Sequence, residues 1–135
     1  MPLGNAKTSP ISAVDVARAV SVILDDPAPH IGAAYNLTGY ESADLNHYAA
    51  IFSAALGRTI RYHDVPLSEW ADMLKSAGVP IHLLSHLTAM AELHARGRYD
   101  RMTDDLVKLT GKTPMSMRDF VRLNAVEFAR REARA

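Results

Sequence analysis

The spacing of hydrophobic residues along this chain is mostly helical, and the ends of the helices are clearly marked. Short polar residues precede many of the apolar stretches, and glycine or proline often follows them, which is the usual punctuation of helix starts and stops. This pattern predicts helices over about residues 13–26, after Asp44 to Leu56, over about 68–77 and 81–96, after Thr103 to Gly111, and from after Ser116 toward the C-terminus.

Three shorter stretches have a strand-like pattern. They are Ser9–Ser12, Ala33–Thr38 and Thr59–Val65, and in the last of them Ile60, Tyr62 and Val65 alternate loosely. The predicted fold class is therefore α/β, mostly helical with about three short strands. No repeat, low-complexity tract or linker divides the chain, so one domain over residues 1–135 is expected.

Composition excludes several kinds of protein. Fifteen basic residues balance fifteen acidic ones. The C-terminal tail contains the basic residues Arg130, Arg131 and Arg134, and we interpret them as cations that favour the negative end of a helix dipole. No nucleic-acid partner is therefore expected. The absence of cysteine rules out disulfides and thiolate zinc sites. No apolar run reaches the roughly 18 residues that a bilayer requires, and we expect a cytoplasmic protein without membrane contacts.

Four segments in a fixed order resemble the downstream half of NmrA-like reductases, which are atypical short-chain dehydrogenases/reductases. They are ISAVDVARAV, YNLTG, AALGRTIRYHDV and LTGKTPMSMRDF. The resemblance implies that the first two strands attach to the edge of a dinucleotide-binding sheet and that later helices cover the substrate. It also implies that Asp15 is the family's helix-start acid and that Tyr35, Leu37, Thr38 and Gly39 form its strand and turn. Tyr40 and His47 depart from the proline and the capping glutamate usual there, which affects local loop shape.

The nucleotide-binding half of such a reductase is missing from this chain. A dinucleotide fold needs a glycine-rich turn where the backbone approaches a pyrophosphate at a helix N-terminus, and none of the seven glycines has that spacing. No lysine follows a tyrosine at the Tyr-x-x-x-Lys spacing of the classical reductases either. We therefore predict no cofactor, no catalytic residue and no NAD(H) or NADP(H) binding by the chain alone.

Two groups of residues that contain histidine are candidates for a metal site or for a catalytic triad. His82 and His86 are spaced to share one face of a helix, but no third ligand follows one turn later, so no metal site is expected. The run Tyr62-His63-Asp64 lacks a serine nucleophile in a G-x-S-x-G turn. Alternation along a strand places Tyr62 and Asp64 on one face and His63 on the other.

Four residues are candidates for a ligand pocket. Trp70, Met73 and Leu74 belong to a helix that the resemblance places near a substrate lid, where core packing is the competing interpretation. Asn124 lies within the apolar face of the last helix, among Met117, Phe120, Val121 and Phe128. A structural hydrogen bond to a carbonyl is the alternative for this amide.

The first helix suggests self-association. Its apolar side chains, Ala13, Val16, Ala17, Ala19, Val20, Ile23 and Leu24, cover an arc of roughly 160°, with Asp15, Arg18 and Asp25 opposite. In the family the absent nucleotide-binding domain would cover part of this arc. A bare apolar surface predicts a partner, and a homodimer is expected, with Val16, Val20 and Ile23 as interface candidates.

Three functions fit the sequence. The first is a non-catalytic domain, derived from an NmrA-like reductase, that binds a small, partly apolar ligand or a protein. The second is the substrate-binding part of an NAD(P)H-dependent, quinone-type oxidoreductase that a separate Rossmann-domain partner completes. The third is a regulatory module that binds other proteins.

Overall fold

The computed structural model describes residues 1–132, with side chains to residue 128, and its regular structure there is helical. A single 3₁₀ turn, Ala28–His30, follows the first helix. The α-helices are α1 Ala13–Asp25, α2 Leu45–Leu56, α3 Leu67–Ser76, α4 Ile81–Ala95, α5 Asp105–Thr110, α6 Met117–Leu123 and α7 Ala125–Glu132. The first five predicted helices are confirmed to within one or two residues.

Local caps explain why the helices begin and end where they do. The side chains of Ser12, Asp44 and Ser116 accept hydrogen bonds from N–H groups in the first turns of α1, α2 and α6. At the other end, α2 stops at Gly57, whose φ of 67° is the left-handed conformation that glycine adopts without strain. These signals are local, and the sequence therefore predicts them well.

The last predicted helix is interrupted at Asn124. Its side-chain amide donates a hydrogen bond to the carbonyl of Phe120 at 2.8 Å, and its backbone leaves the helical conformation there. Asparagine competes in this way with the regular backbone hydrogen bonds of a helix. The result is two short helices, α6 and α7, in place of one. The side chains of the basic tail lie outside the described part of the chain.

The predicted fold class was wrong about the strands. Residues 1–132 contain no strand. The one described β-bridge joins Thr8 to Ala43, and each backbone N–H donates to the other residue's carbonyl, with N···O distances of 3.0 and 3.1 Å. A strand exists only with a neighbouring strand to bond to. Here side chains take that place: Asp105 accepts a hydrogen bond from the N–H of Asn36 at 2.7 Å, and the hydroxyl of Ser53 bonds both backbone groups of Ile60.

The core is small for a protein of this size. The helices pack mainly in three pairs, α1 with α5, α2 with α6 and α3 with α4. The apolar residues buried between elements are Leu3, Ala19, Tyr48, Ala91, Leu106 and Val121. The chain exposes 9103 Å², whereas a compact monomer of this mass exposes about 7,000 Å². The fold therefore leaves roughly 2,000 Å² uncovered that a compact protein would bury.

Of the helices described, none combines the length and the apolar character that crossing a membrane requires.

Candidate functional site

A buried aspartate joins two distant parts of the chain. Asp15 is fully buried, and its Oδ2 accepts hydrogen bonds from the Ser12 hydroxyl at 2.9 Å and from the backbone N–H of Met115 at 2.7 Å. A guanidinium nitrogen of Arg18 lies 3.0 Å from Oδ1, an ion pair whose geometry falls short of a hydrogen bond. The expectation that Asp15 lies on the outer side of α1 was wrong, because these groups replace water around the carboxylate.

The outer side of α1 is instead apolar. Ala13, Ala17, Val20 and Leu24 follow one another at helical spacing and are all exposed, and we call this row the α1 strip. Leu24 is 71% exposed and Val20 47% exposed. The other two interface candidates, Val16 and Ile23, are half-buried. Part of the apolar arc therefore faces the core and part is bare.

A second bare feature follows α1 in the chain. Residues 31–36, which we call the bare segment, are exposed along their whole length, and Ile31 is 84% exposed. Among the described residues, the backbone groups of Ala34 and Tyr35 form no hydrogen bond with another backbone group. Exposed backbone with unpaired N–H and C=O groups is a ready site for an added strand.

A small apolar pocket lies between the residues that precede α1 and the start of α6. We call it the α6 pocket; its volume is about 140 Å³, and it is lined by Pro10, Ile11, Ser12, Met115, Met117 and Phe120. The Ser12 hydroxyl is already bonded to Asp15. Behind Phe120 stands Phe128, with ring centres 6.5 Å apart, and Phe128 in turn contacts Phe52 at 5.2 Å. Sequence reasoning missed this pocket, although two methionines flanking the Ser116 cap were a visible signal.

Only one of the four sequence candidates for a ligand pocket lines a cavity described here. Trp70 lines an apolar cavity of about 260 Å³ between the N-terminal residues, α3 and α4, which we call the α3–α4 cavity. His94 lies in its wall, and burial lowers the pKa of that imidazole. Met73 is 58% exposed, and Leu74 is half-buried and lines neither cavity. Asn124 makes the hydrogen bond to Phe120 described above, so the four residues do not form one site.

A third depression is polar. Its walls include Arg18, Tyr40, Glu41, His47 and Arg118, and its volume is about 710 Å³. The His47 ring nitrogen lies 3.1 Å from the Glu41 carboxylate. Both positions at which the sequence departs from the resembled pattern, Tyr40 and His47, thus line one groove.

Tyr62 and Asp64 hold the N-terminal residues in place. The Tyr62 hydroxyl lies 2.6 Å from Asp64 Oδ1 and accepts a hydrogen bond from the N–H of Leu3 at 3.0 Å, while Gly4 donates to Asp64 at 2.9 Å. Hydrogen bonds, first that from Tyr62, lower the pKa of Asp64, and burial raises the pKa of Tyr62. Tyr62 and Asp64 therefore lie on the same side of the chain, as predicted, although residues 59–65 do not form the strand from which this was argued.

No group of three His, Asp or Glu side chains within residues 1–132 is arranged to hold a metal ion. His82 and His86 are both exposed on α4. That zinc leaves the stability unchanged stays a prediction.

The described residues also do not fit a dinucleotide. A pyrophosphate is held by free backbone N–H groups at a helix N-terminus, but Ser12, Asp44 and Ser116 already cap α1, α2 and α6. Helices α3, α4 and α5 have no side-chain cap, but none of them is preceded by a glycine-rich turn. A nucleotide would need residues beyond those described here.

Comparison with known proteins gives a consistent family resemblance. Residues 1–121 match the NmrA-like family. The NAD(P)H azoreductase of Xenophilus azovorans is 33% identical over 131 residues, which are 95% of this chain and 44% of that protein. The chain thus spans less than half the length of this relative and matches its C-terminal part.

Solved structures agree with this match. A nucleoside-diphosphate-sugar epimerase from Staphylococcus aureus superposes with a TM-score of 0.75 at 31% identity, over 90% of this chain and 42% of the other. An NADPH-dependent quinone oxidoreductase from Escherichia coli superposes with a TM-score of 0.73 at 22% identity, over 89% and 43% of the two chains. The second likeness concerns the fold alone.

Proposed function

The chain belongs to the NmrA-like family, and we propose that it forms the substrate-side part of an NAD(P)H-dependent reductase whose nucleotide-binding part lies outside the residues described here. The azoreductase relative is named for reduction with NAD(P)H, and this chain corresponds to less than half of it. The remaining part of such a protein would have to hold the nucleotide, since three of the helix starts described in this chain are capped by side chains and the starts of α3, α4 and α5 do not follow a glycine-rich turn.

The uncovered surface of the chain carries this proposal. Roughly 2,000 Å² more surface is exposed than a compact monomer of this mass shows. A stable interface of standard size takes about 800 Å² from each partner, so the excess on this one chain is large enough to contain one. The α1 strip offers apolar side chains, and the bare segment offers the backbone groups of Ala34 and Tyr35, which have no backbone partner among the described residues. A nucleotide-binding sheet with a free edge strand is the partner that can satisfy both kinds of group.

The α6 pocket favours a reductase over a sugar-nucleotide enzyme. The structure from Staphylococcus aureus is named as a nucleoside-diphosphate-sugar epimerase, and a sugar bears several hydroxyls that need hydrogen-bond partners. In the α6 pocket the Ser12 hydroxyl and the Met115 N–H are both engaged by Asp15. The side chains of its other lining residues are apolar, which suits an apolar substrate such as the quinone for which the Escherichia coli structure is named.

A chimera tests the proposal. Residues 1–132 would replace the matched C-terminal part of the Xenophilus azovorans azoreductase, and NADPH oxidation would be followed with an azo dye and with a quinone. We expect a folded chimera that binds NADPH and reduces at least one of these substrates. The matched control is the same chimera carrying Val20→Lys, in which a charge on the α1 strip should weaken docking and activity.

Two outcomes would contradict the proposal. A folded chimera that binds NADPH but reduces neither substrate would favour the non-catalytic ligand-binding domain considered from the sequence. A chain that remains detached from the nucleotide-binding part, and instead retains a specific protein partner in a pull-down, would favour the regulatory module.

A further inference from the structure

We propose that the α6 pocket seats one unfused six-membered ring, aromatic or quinonoid, of the substrate. Its part in catalysis rests on the proposed reductase function. Ring binding itself depends only on this chain, because all the lining residues belong to it.

Volume decides the size of the group that fits. The pocket holds about 140 Å³. An engineered protein cavity of about 150 Å³, lined by leucine, isoleucine and phenylalanine, stays free of water and binds benzene. The α6 pocket, which is partly open to solvent, therefore has room for a single ring, and a fused second ring would extend beyond its lining residues.

The chemistry of the walls selects an apolar and polarizable ring. Ile11 and Phe120 provide hydrocarbon surface, and Met115 and Met117 provide thioether sulfurs, which make favourable contacts with aromatic rings. Phe120 is also the first of three phenylalanine rings, each in edge-to-face contact with the next: Phe120 with Phe128, and Phe128 with Phe52. A bound ring would extend this series of aromatic contacts.

Asp15 holds the two walls of the pocket at a fixed separation. One Oδ2 atom accepts hydrogen bonds from Ser12, on the wall before α1, and from Met115, on the wall before α6. Both wall residues are thus placed before a ligand arrives, which limits the entropy lost on binding. The wall before α1 leads directly into Ala13 of the α1 strip, so the pocket adjoins the proposed docking surface.

Methionine methyl NMR tests ring binding on the chain itself. The chain has six methionines, and their ¹³C-labelled methyl groups would be followed while benzene is added. We expect saturable ring-current shifts at Met115 and Met117 and none at Met102, which is exposed in a loop. Shifts at Met90 instead would place benzene in the larger α3–α4 cavity and overturn the proposal.

Two variants sharpen the test. Ile11→Phe fills the pocket and should abolish the saturable shifts, whereas Ile81→Phe makes the same change at an exposed position on α4 and should leave them intact. Met117→Leu keeps the side-chain volume and therefore the fold. Loss of its sulfur should weaken benzene binding about two- to tenfold. Unchanged binding in both Ile11→Phe and Met117→Leu would overturn the proposal.

The chimera separates this inference from the function on which it rests. In an active chimera, Ile11→Phe should raise the KM for the ring substrate by roughly tenfold or more and leave the KM for NADPH unchanged. An active chimera that Ile11→Phe does not affect overturns the ring site alone. A chimera without reductase activity, together with saturable benzene binding by the isolated chain, overturns the reductase function and leaves the ring site standing.

Discussion

At the scale of single residues, Asp15 and Asp119 have the same local role in different surroundings. Each exchanges hydrogen bonds with the serine three residues before it: Asp15 with Ser12 at 2.9 and 3.1 Å, and Asp119 with Ser116 at 2.6 and 3.1 Å. Asp119 is exposed, whereas Asp15 is fully buried and also bonds Met115. Comparing the two aspartates therefore separates the stabilisation that a helix cap provides from the stabilisation that contacts with distant residues add.

We expect Asp15→Ala to lower the free energy of unfolding by about 3 kcal/mol, because it leaves Arg18 without its partner and the Met115 N–H unbonded. Asp119→Ala removes only a cap and should cost about 1 kcal/mol or less. Urea denaturation of both variants measures the difference. Equal losses would show that the contacts of Asp15 with Arg18 and Met115 add nothing to the fold.

Tyr48 predicts a loss of stability at alkaline pH. Burial, and secondly the charge of Glu41, raise the pKa of Tyr48 to about 12, and its hydroxyl lies 2.9 Å from the carbonyl of Thr8. The unfolded chain releases the Tyr48 proton near pH 10, which is lower than in the folded state. The protonated hydroxyl therefore contributes its full stabilisation to the fold below about pH 10, and this stabilisation is lost as the pH rises toward about 12. Urea denaturation across this range should show a shallower decline in Tyr48→Phe, whereas Tyr40→Phe, at an exposed tyrosine, should follow the wild type.

At the scale of elements, the sequence predicted what is decided locally. The Ser12 cap and the Gly57 stop act within one turn of a helix, so the helix positions could be predicted without tertiary information. The strand prediction for residues 33–38 failed because a strand depends on a neighbour. In the described chain the backbone groups of Asn36 are bonded by side chains instead: its N–H donates to the Asp105 carboxylate, and its carbonyl accepts from the Thr103 hydroxyl. The α6 pocket was missed because its walls, residues 10–12 and 115–120, are a hundred positions apart.

Gly39 marks the closest approach between two of the extended segments. A Cβ at this position would lie 1.8 Å from the carbonyl oxygen of Pro10, far inside van der Waals contact, and the Gly39 N–H donates to Ser9 at 3.0 Å. Gly39→Ala must therefore push the two segments apart, and we expect a loss of about 3 kcal/mol in the free energy of unfolding. Thermal denaturation provides the measurement.

Gly57→Ala is the matched control for this substitution. Its Cβ meets no atom within 4 Å, so only the left-handed backbone conformation is strained, at a cost of about 1 kcal/mol. Equal losses in the two variants would mean that the contact with Pro10 does not hold the segments together.

At the scale of the whole molecule, the chain exposes more surface than a compact monomer of this mass does. Bare features such as the α1 strip and Ile31 account for part of the roughly 2,000 Å² of excess surface. Contiguous apolar surface beyond a few hundred Å² marks a binding surface on most soluble proteins. In the proposed reductase the nucleotide-binding part covers it, and without that part a second copy of the chain offers the most available apolar partner.

We therefore predict that the isolated chain forms a homodimer through the α1 strip, since a two-fold interface lets one apolar surface pair with itself. Light scattering at micromolar concentration should give twice the chain mass of 14.8 kDa. Val20→Lys places a charge in the strip and should return a folded monomer, because Val20 is already 47% exposed and its replacement leaves the core intact. Leu93→Lys makes the same kind of change on α4 at a residue that is 42% exposed, and it should remain dimeric. A wild-type mass of one chain would refute self-association, and equal dissociation by both lysines would place the interface elsewhere than the α1 strip.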